Sequence, residues 1–117
     1  MPDNKPRSCP CCGESYQAAM RSSGHCANCT GTEPSIGRGC CWICERDDVP
    51  LQRHHSAGRR YSDDTIDVCL NCHSVLSQWQ HDYPRLNEWH AQAHGLADIL
   101  RLNLERTAPH ERSTHHD

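Results

Sequence analysis

Four C-x-x-C pairs punctuate the chain, at Cys9/Cys12, Cys26/Cys29, Cys41/Cys44 and Cys69/Cys72. Two residues between cysteines let both sulfurs of a tight turn reach one metal ion. Disulfides are the other use of so many cysteines, and they belong to oxidising compartments. The N-terminal "MPDNKPRSCP" has no apolar run of the signal-peptide kind, and no stretch approaches the ~18–20 apolar residues of a membrane span. The expectation is a cytoplasmic protein whose thiols stay reduced and bind zinc. Cys11 and Cys40 each adjoin a ligand and are expected to be bystanders.

Metal is also what a chain of this kind needs in order to fold. Its 117 residues are 35% hydrophobic, with no phenylalanine, and mean hydropathy is −0.86. Small polar chains seldom bury enough apolar surface without a disulfide or metal staple. The formal charge is −3, and each zinc held by four thiolates adds a further charge of about −2. Indiscriminate nucleic-acid binding is therefore not expected from global charge. The one dense basic patch is local: Arg53, Arg59 and Arg60 in "QRHHSAGRR".

The first two pairs are separated by thirteen residues in "CPCCGESYQAAMRSSGHCANC". This reads as a zinc ribbon, with Gly13 permitting the positive-φ turn of the first knuckle. Residues 30–39, "TGTEPSIGRG", read as a linker. In the second unit, "VPLQRHH" and "TIDV" read as short strands and "CLNCHSVLSQWQH" as a knuckle running into a helix. That order is a treble clef. Pro84 suits the first turn of a last helix, in which Leu86, Trp89, Ala93, Leu96, Leu100 and Leu104 form an apolar stripe expected to cover the core. The other use of such a stripe is a dimer or partner surface. "TAPHERSTHHD" has nothing to bury, and its His115/His116 pair is not expected to bind metal. The boundaries expected are a ribbon and linker at 1–36, a treble clef at 37–83, a covering helix at 84–107 and a tail at 108–117.

Cys41, Cys44, Cys69 and Cys72 fill a tetrahedral zinc, so His54, His55 and His73 are surplus to it. Neighbours on a strand point to opposite faces, so His54 and His55 are expected to do different things. One could bind metal while the other positions a water.

"CWIC…QRHHSAGRR…DDTIDVCLNCH" resembles the HNH endonuclease family, the zinc-stapled ββα-metal nucleases, over residues 41 to about 81. The resemblance implies an HNH ββα-metal core, which with the N-terminal four-cysteine zinc ribbon and the C-terminal amphipathic helix makes a small α+β zinc-stabilised fold. It implies that His54 and His73 ligate a catalytic divalent metal (Mg²⁺, Mn²⁺, Ni²⁺ or Zn²⁺), and that His55 is the general base. Asp64 stands where the family has its middle Asn, and Ser77 where many members have a further His. The metal site is then expected to be weak, water-filled, or completed by His81 or Asp64. Two zincs are structural, on Cys9, Cys12, Cys26 and Cys29 and on Cys41, Cys44, Cys69 and Cys72. Arg59 and Arg60 would contact substrate phosphates, with Lys5, Arg7 and Arg21 as the fallback surface. The implied activity is hydrolysis of DNA, with RNA still open, in bacterial or phage DNA processing or defence. The competing expectation is a non-catalytic zinc module that binds nucleic acid or a protein.

Overall fold

The computed structural model describes residues 8–56, 64–81 and 87–107. Three antiparallel strands, β1 (Gly37–Gly39), β2 (Val49–His55) and β3 (Thr65–Cys69), form a sheet in that order. A one-turn helix α1 (Ala27–Thr30) precedes the sheet; α2 (Leu70–His81) and α3 (Glu88–Thr107) follow it. The fold is thus a small α+β arrangement carrying two four-cysteine clusters.

Helix α2 continues β3 without a break, so Cys69 closes the strand and Cys72 lies in the first helical turn. Val75 and Leu76 face inward at helical spacing and are fully buried. They share a core with Ile43, Leu51, Val68, Ile99 and Leu102, with Trp79 packed at its edge.

Three expectations are corrected. The stretch read as a linker contains β1, whose residues pair as Gly37 with Leu51 and Gly39 with Val49. This strand has almost no side chain to advertise it. A Cβ on Gly39 would lie 3.1 Å from Leu51 Cδ1, so a side chain there would make that leucine shift. The N-terminal unit, secondly, is not a ribbon of strands. It has a single bridge, Met20 with Cys26, a 3-10 turn at Gln17–Ala19, and α1 carrying the second cysteine pair.

The third correction concerns α3. Its buried residues are Gly95, Asp98, Ile99 and Leu102. The stripe expected to cover the core faces outward: Trp89 is 70% exposed, Leu96 55%, Leu100 50% and Leu104 61%. The helix has two apolar faces, and the inner one is built around Gly95, Ile99 and Leu102. Leu86 and Pro84 lie outside the described residues, as do the tail from residue 108 and its His115 and His116.

A buried polar network joins the N-terminal unit to α2 and α3. The Glu14 side chain, fully buried, accepts from Arg106 Nη1 (2.9 Å to Oε1, 3.1 Å to Oε2), Asn71 Nδ2 (3.0 Å) and Tyr16 N (2.9 Å). Asn71 Oδ1 accepts from Asn28 N, and Asn28 Oδ1 from Asn71 N. Tyr16 OH donates to Glu105. The guanidinium of Arg106 lies 4.6 Å from the Tyr16 ring, and that π face stands in for partners its Nε and Nη2 lack.

Candidate metal centres and histidine site

The sulfurs of Cys9, Cys12, Cys26 and Cys29 all lie within 4.8 Å of one another, and so do those of Cys41, Cys44, Cys69 and Cys72. A tetrahedron with Zn–S bonds of about 2.3 Å has S···S edges of about 3.8 Å. Cys44 Sγ and Cys69 Sγ are 3.8 Å apart, and Cys12 Sγ and Cys26 Sγ 3.5 Å. A disulfide needs about 2.05 Å. Both clusters therefore fit a tetrahedral Zn²⁺.

The two knuckles are the same local structure. Cys9 N donates to Glu14 O and Gly13 N to Cys9 O; likewise Cys41 N donates to Arg46 O and Glu45 N to Cys41 O. Each needs a left-handed residue after its second cysteine. Gly13 supplies it at φ 82°, and Glu45 at φ 66°, where a side chain is rarely accepted. The turn aims amides at sulfur: Ile43 N and Cys44 N each lie 3.4 Å from Cys41 Sγ, and Cys72 N lies 3.4 Å from Cys69 Sγ.

Sulfurs this close compete for negative charge. Contacts from Cys44, Cys69 and Cys72 push the Cys41 thiol far down, while contacts from Cys41 and Cys44 push Cys69 and Cys72 far up. In the other cluster burial pushes Cys9 up, but amides of Cys26, Cys12 and Cys11 bring it to about 6. Guanidiniums stand beside both clusters. Arg46 Nη1 lies 3.6 Å from Cys12 Sγ, tying the second knuckle to the first cluster. Burial opposes the charge on Arg106, but the Cys72 sulfur, Glu14 and the Cys44 sulfur outweigh it and raise its pKa.

The histidines lie outside both cysteine clusters. On β2, Gln52 and His54 share a face with their β3 partners Val68 and Ile66, and His55 pairs with Thr65 on the opposite face. His54 is 3% exposed, and its Nε2 is buried without a hydrogen-bond partner. His73, one residue past Cys72 on α2, brings its ring centroid to 5.4 Å from that of His54, edge to face. Burial holds the His54 imidazole neutral, its pKa lowered to about 4, with His73 and His55 adding to the effect. Burial also lowers His73, helped by His55. His55 thus stands near enough to be felt by both rings.

Around His73 runs a groove of about 610 Å³ lined by residues from both zinc units, including Arg21, Glu33, Gln52, Ser74, Ser77 and His81. Arg21 is fixed by Glu33 (2.6 Å from Nε to Oε2) and donates to Ser74 Oγ at 2.8 Å. Nothing in local sequence brings residues 21 and 33 to residue 74; the tertiary packing of the N-terminal unit on α2 does. Asp64 is exposed beside β3, its carbonyl accepting from Ser56 N at 3.2 Å. Ser77 is exposed on the groove, and so is His81 in the last turn of α2. Among the described residues, only the two cysteine clusters gather three or more ligating side chains within 4.8 Å, so neither His81 nor Asp64 joins His54 and His73 in such a set. Arg53 lies 4.0 Å from Asp67. Arg59 and Arg60 lie outside the described residues, as do Lys5 and Arg7. No described helix is long and apolar enough to cross a membrane.

No protein-family model matches the chain, and neither the curated proteins nor the solved structures contain a match to it.

Proposed function

We propose that this chain is a metal-dependent endonuclease of the HNH type that hydrolyses phosphodiester bonds in DNA, by nicking or cutting. The observation that carries the reading is the His54 ring. It is buried, neutral and unpartnered at Nε2, and it faces His73 across 5.4 Å where a strand meets a helix. Burying a polar nitrogen without a partner costs about 1–3 kcal/mol. A divalent ion held between the two imidazoles would give that nitrogen its partner.

In this reading His54 and His73 would hold the ion. The ion supplies charge neutralisation at the leaving 3′ oxygen. His55, on the other face of the strand, accepts the proton of the attacking water. The water oxygen bonds to phosphorus opposite the breaking P–O3′ bond. Arg59 and Arg60, which follow β2 in the sequence, steady the phosphates. Arg21, locked by Glu33 and Ser74, borders the same groove from the N-terminal unit.

The second reading is a non-catalytic zinc module that binds nucleic acid or a protein. What favours it is the two-histidine donor set, which no third side chain among the described residues joins. Supercoiled plasmid decides between them. Zinc-loaded protein with Mg²⁺, Mn²⁺ or Ni²⁺ is expected to relax it, and EDTA or His55→Ala to stop relaxation. Intact plasmid under all three ions overturns the nuclease reading.

A further inference from the structure

We propose that the outer face of α3 is a self-association surface, through which two copies of this chain pair as an antiparallel helix dimer. The inference stands whether or not the histidine site cleaves DNA. Trp89, Ala93, Leu96, Ala97, Leu100 and Leu104 fall within one stripe about 100° wide along α3, and no charged side chain interrupts it. From Trp89 to Leu104 the stripe runs about 23 Å. All six residues are exposed. The face is not a by-product of packing on the core, because the helix uses Gly95, Ile99 and Leu102 for that.

The area suits a second copy. With about 250 Å² for a whole tryptophan and about 170 Å² for a whole leucine, the four large residues expose roughly 450 Å² per copy. Two copies with their flanking residues then bury about 1,200 Å², the lower bound of specific interfaces. An interface at that lower bound makes a weak, concentration-dependent pair.

The pattern is also self-complementary in one direction. With a two-fold axis crossing the helix near residue 98, Leu96 of one copy meets Leu100 of the other. The small Ala93 then lies beside Leu104 of the second copy, and Ala97 meets its own equivalent. This direction sets the N-terminus of each helix beside the C-terminus of the other, the favourable sense for helix dipoles. Met1, Tyr61, Tyr83 and Leu86 are the large apolar side chains outside the described residues.

Sedimentation of the full, zinc-loaded chain between about 1 and 300 μM, concentrations over which a weak dimer forms, tests the proposal. The mass is expected to rise from the 13.3 kDa monomer to twice that value. Leu96→Glu and Leu100→Lys should each give monomers throughout, with zinc content and helicity unchanged because both sites are exposed. Mixing these two variants should restore a dimer, since Glu and Lys then meet across the antiparallel pair. Ile36→Glu, an equally exposed apolar site off the helix, should leave the dimer intact. A 13.3 kDa mass at every concentration, or a dimer that survives Leu96→Glu, overturns the proposal. Two monomeric variants that do not pair when mixed overturn the antiparallel register.

Discussion

Replacing Arg106 with methionine removes one half of the ion pair that ties α3 to the N-terminal unit. The Arg106 side chain is 10% exposed and that of Glu14 is wholly buried, so solvent cannot take over for the lost partner. Breaking such a pair from one side costs about 3–5 kcal/mol, because a charge stays behind in a poorly solvating site. Here Asn71 Nδ2 and Tyr16 N still donate to the stranded carboxylate, which places Arg106→Met near the lower end, at about 3 kcal/mol. Removing both charges with Glu14→Gln and Arg106→Met together should cost less than Arg106→Met alone, since no buried ion remains. At ~4–8 °C per kcal/mol, the single variant should melt about 12–24 °C below wild type.

The assay is urea unfolding of zinc-loaded protein at fixed free Zn²⁺, with zinc content measured in parallel. Because Glu14 belongs to the first cysteine unit, Asn71 to α2 and Arg106 to α3, one cooperative transition should shift as a whole. If Arg106→Met shifts stability by less than about 0.5 kcal/mol, or moves only one of two separate transitions, the network does not couple the units and the reasoning fails.

Elemental analysis of washed protein should give about two zincs per chain, unchanged by Cys11→Ser or Cys40→Ser, and chelation should unfold the chain. His54→Ala should lose both divalent-ion binding and nicking, while His55→Ala should lose nicking and keep the ion; wild-type cutting by His55→Ala refutes the assignment. A histidine whose folded pKa is depressed contributes stability that is full above its unfolded value near ~6.5 and is lost as pH falls toward the folded value of about 4. Over that window wild type should lose up to about 3 kcal/mol more than His54→Gln in paired unfolding curves, and parallel curves would count against a buried neutral ring. Replacing Arg59 and Arg60 with Ala should make the salt dependence of duplex binding shallower by about two; an unchanged slope moves the contact surface to the side of the groove that holds Arg21.

Cysteine spacing made both metal clusters legible, because the C-x-x-C turn is a local object whose backbone conformation follows from few residues. The strand positions of His54 and His55 were legible for the same reason: period two fixes opposite faces before any partner is known. What escaped the sequence is what depends on distant chain. A strand of Gly37, Arg38 and Gly39 has no side-chain pattern, and it exists because Leu51 and Val49 offer it a backbone edge. Arg21 reaches Ser74 across 53 positions through the packing of one zinc unit on the other.

Helix α3 shows where periodicity stops being informative. Its sequence carries two apolar stripes, and only the surroundings decide which one the core receives. The larger stripe, with Trp89 and three leucines, looks like the natural inner face by transfer free energy alone. The core instead took the narrower face, where Gly95 is buried, where Arg106 can meet Glu14, and where Asn103 Nδ2 can donate to Ile43 O at 2.7 Å. Turning the helix to bury Trp89 would pull that guanidinium from a fully buried carboxylate and leave the Ile43 carbonyl without its donor. The polar anchors at its C-terminal half fix the rotation of the helix. The apolar surface left outside is a consequence of that choice, and it is the surface on which a second copy has room to sit.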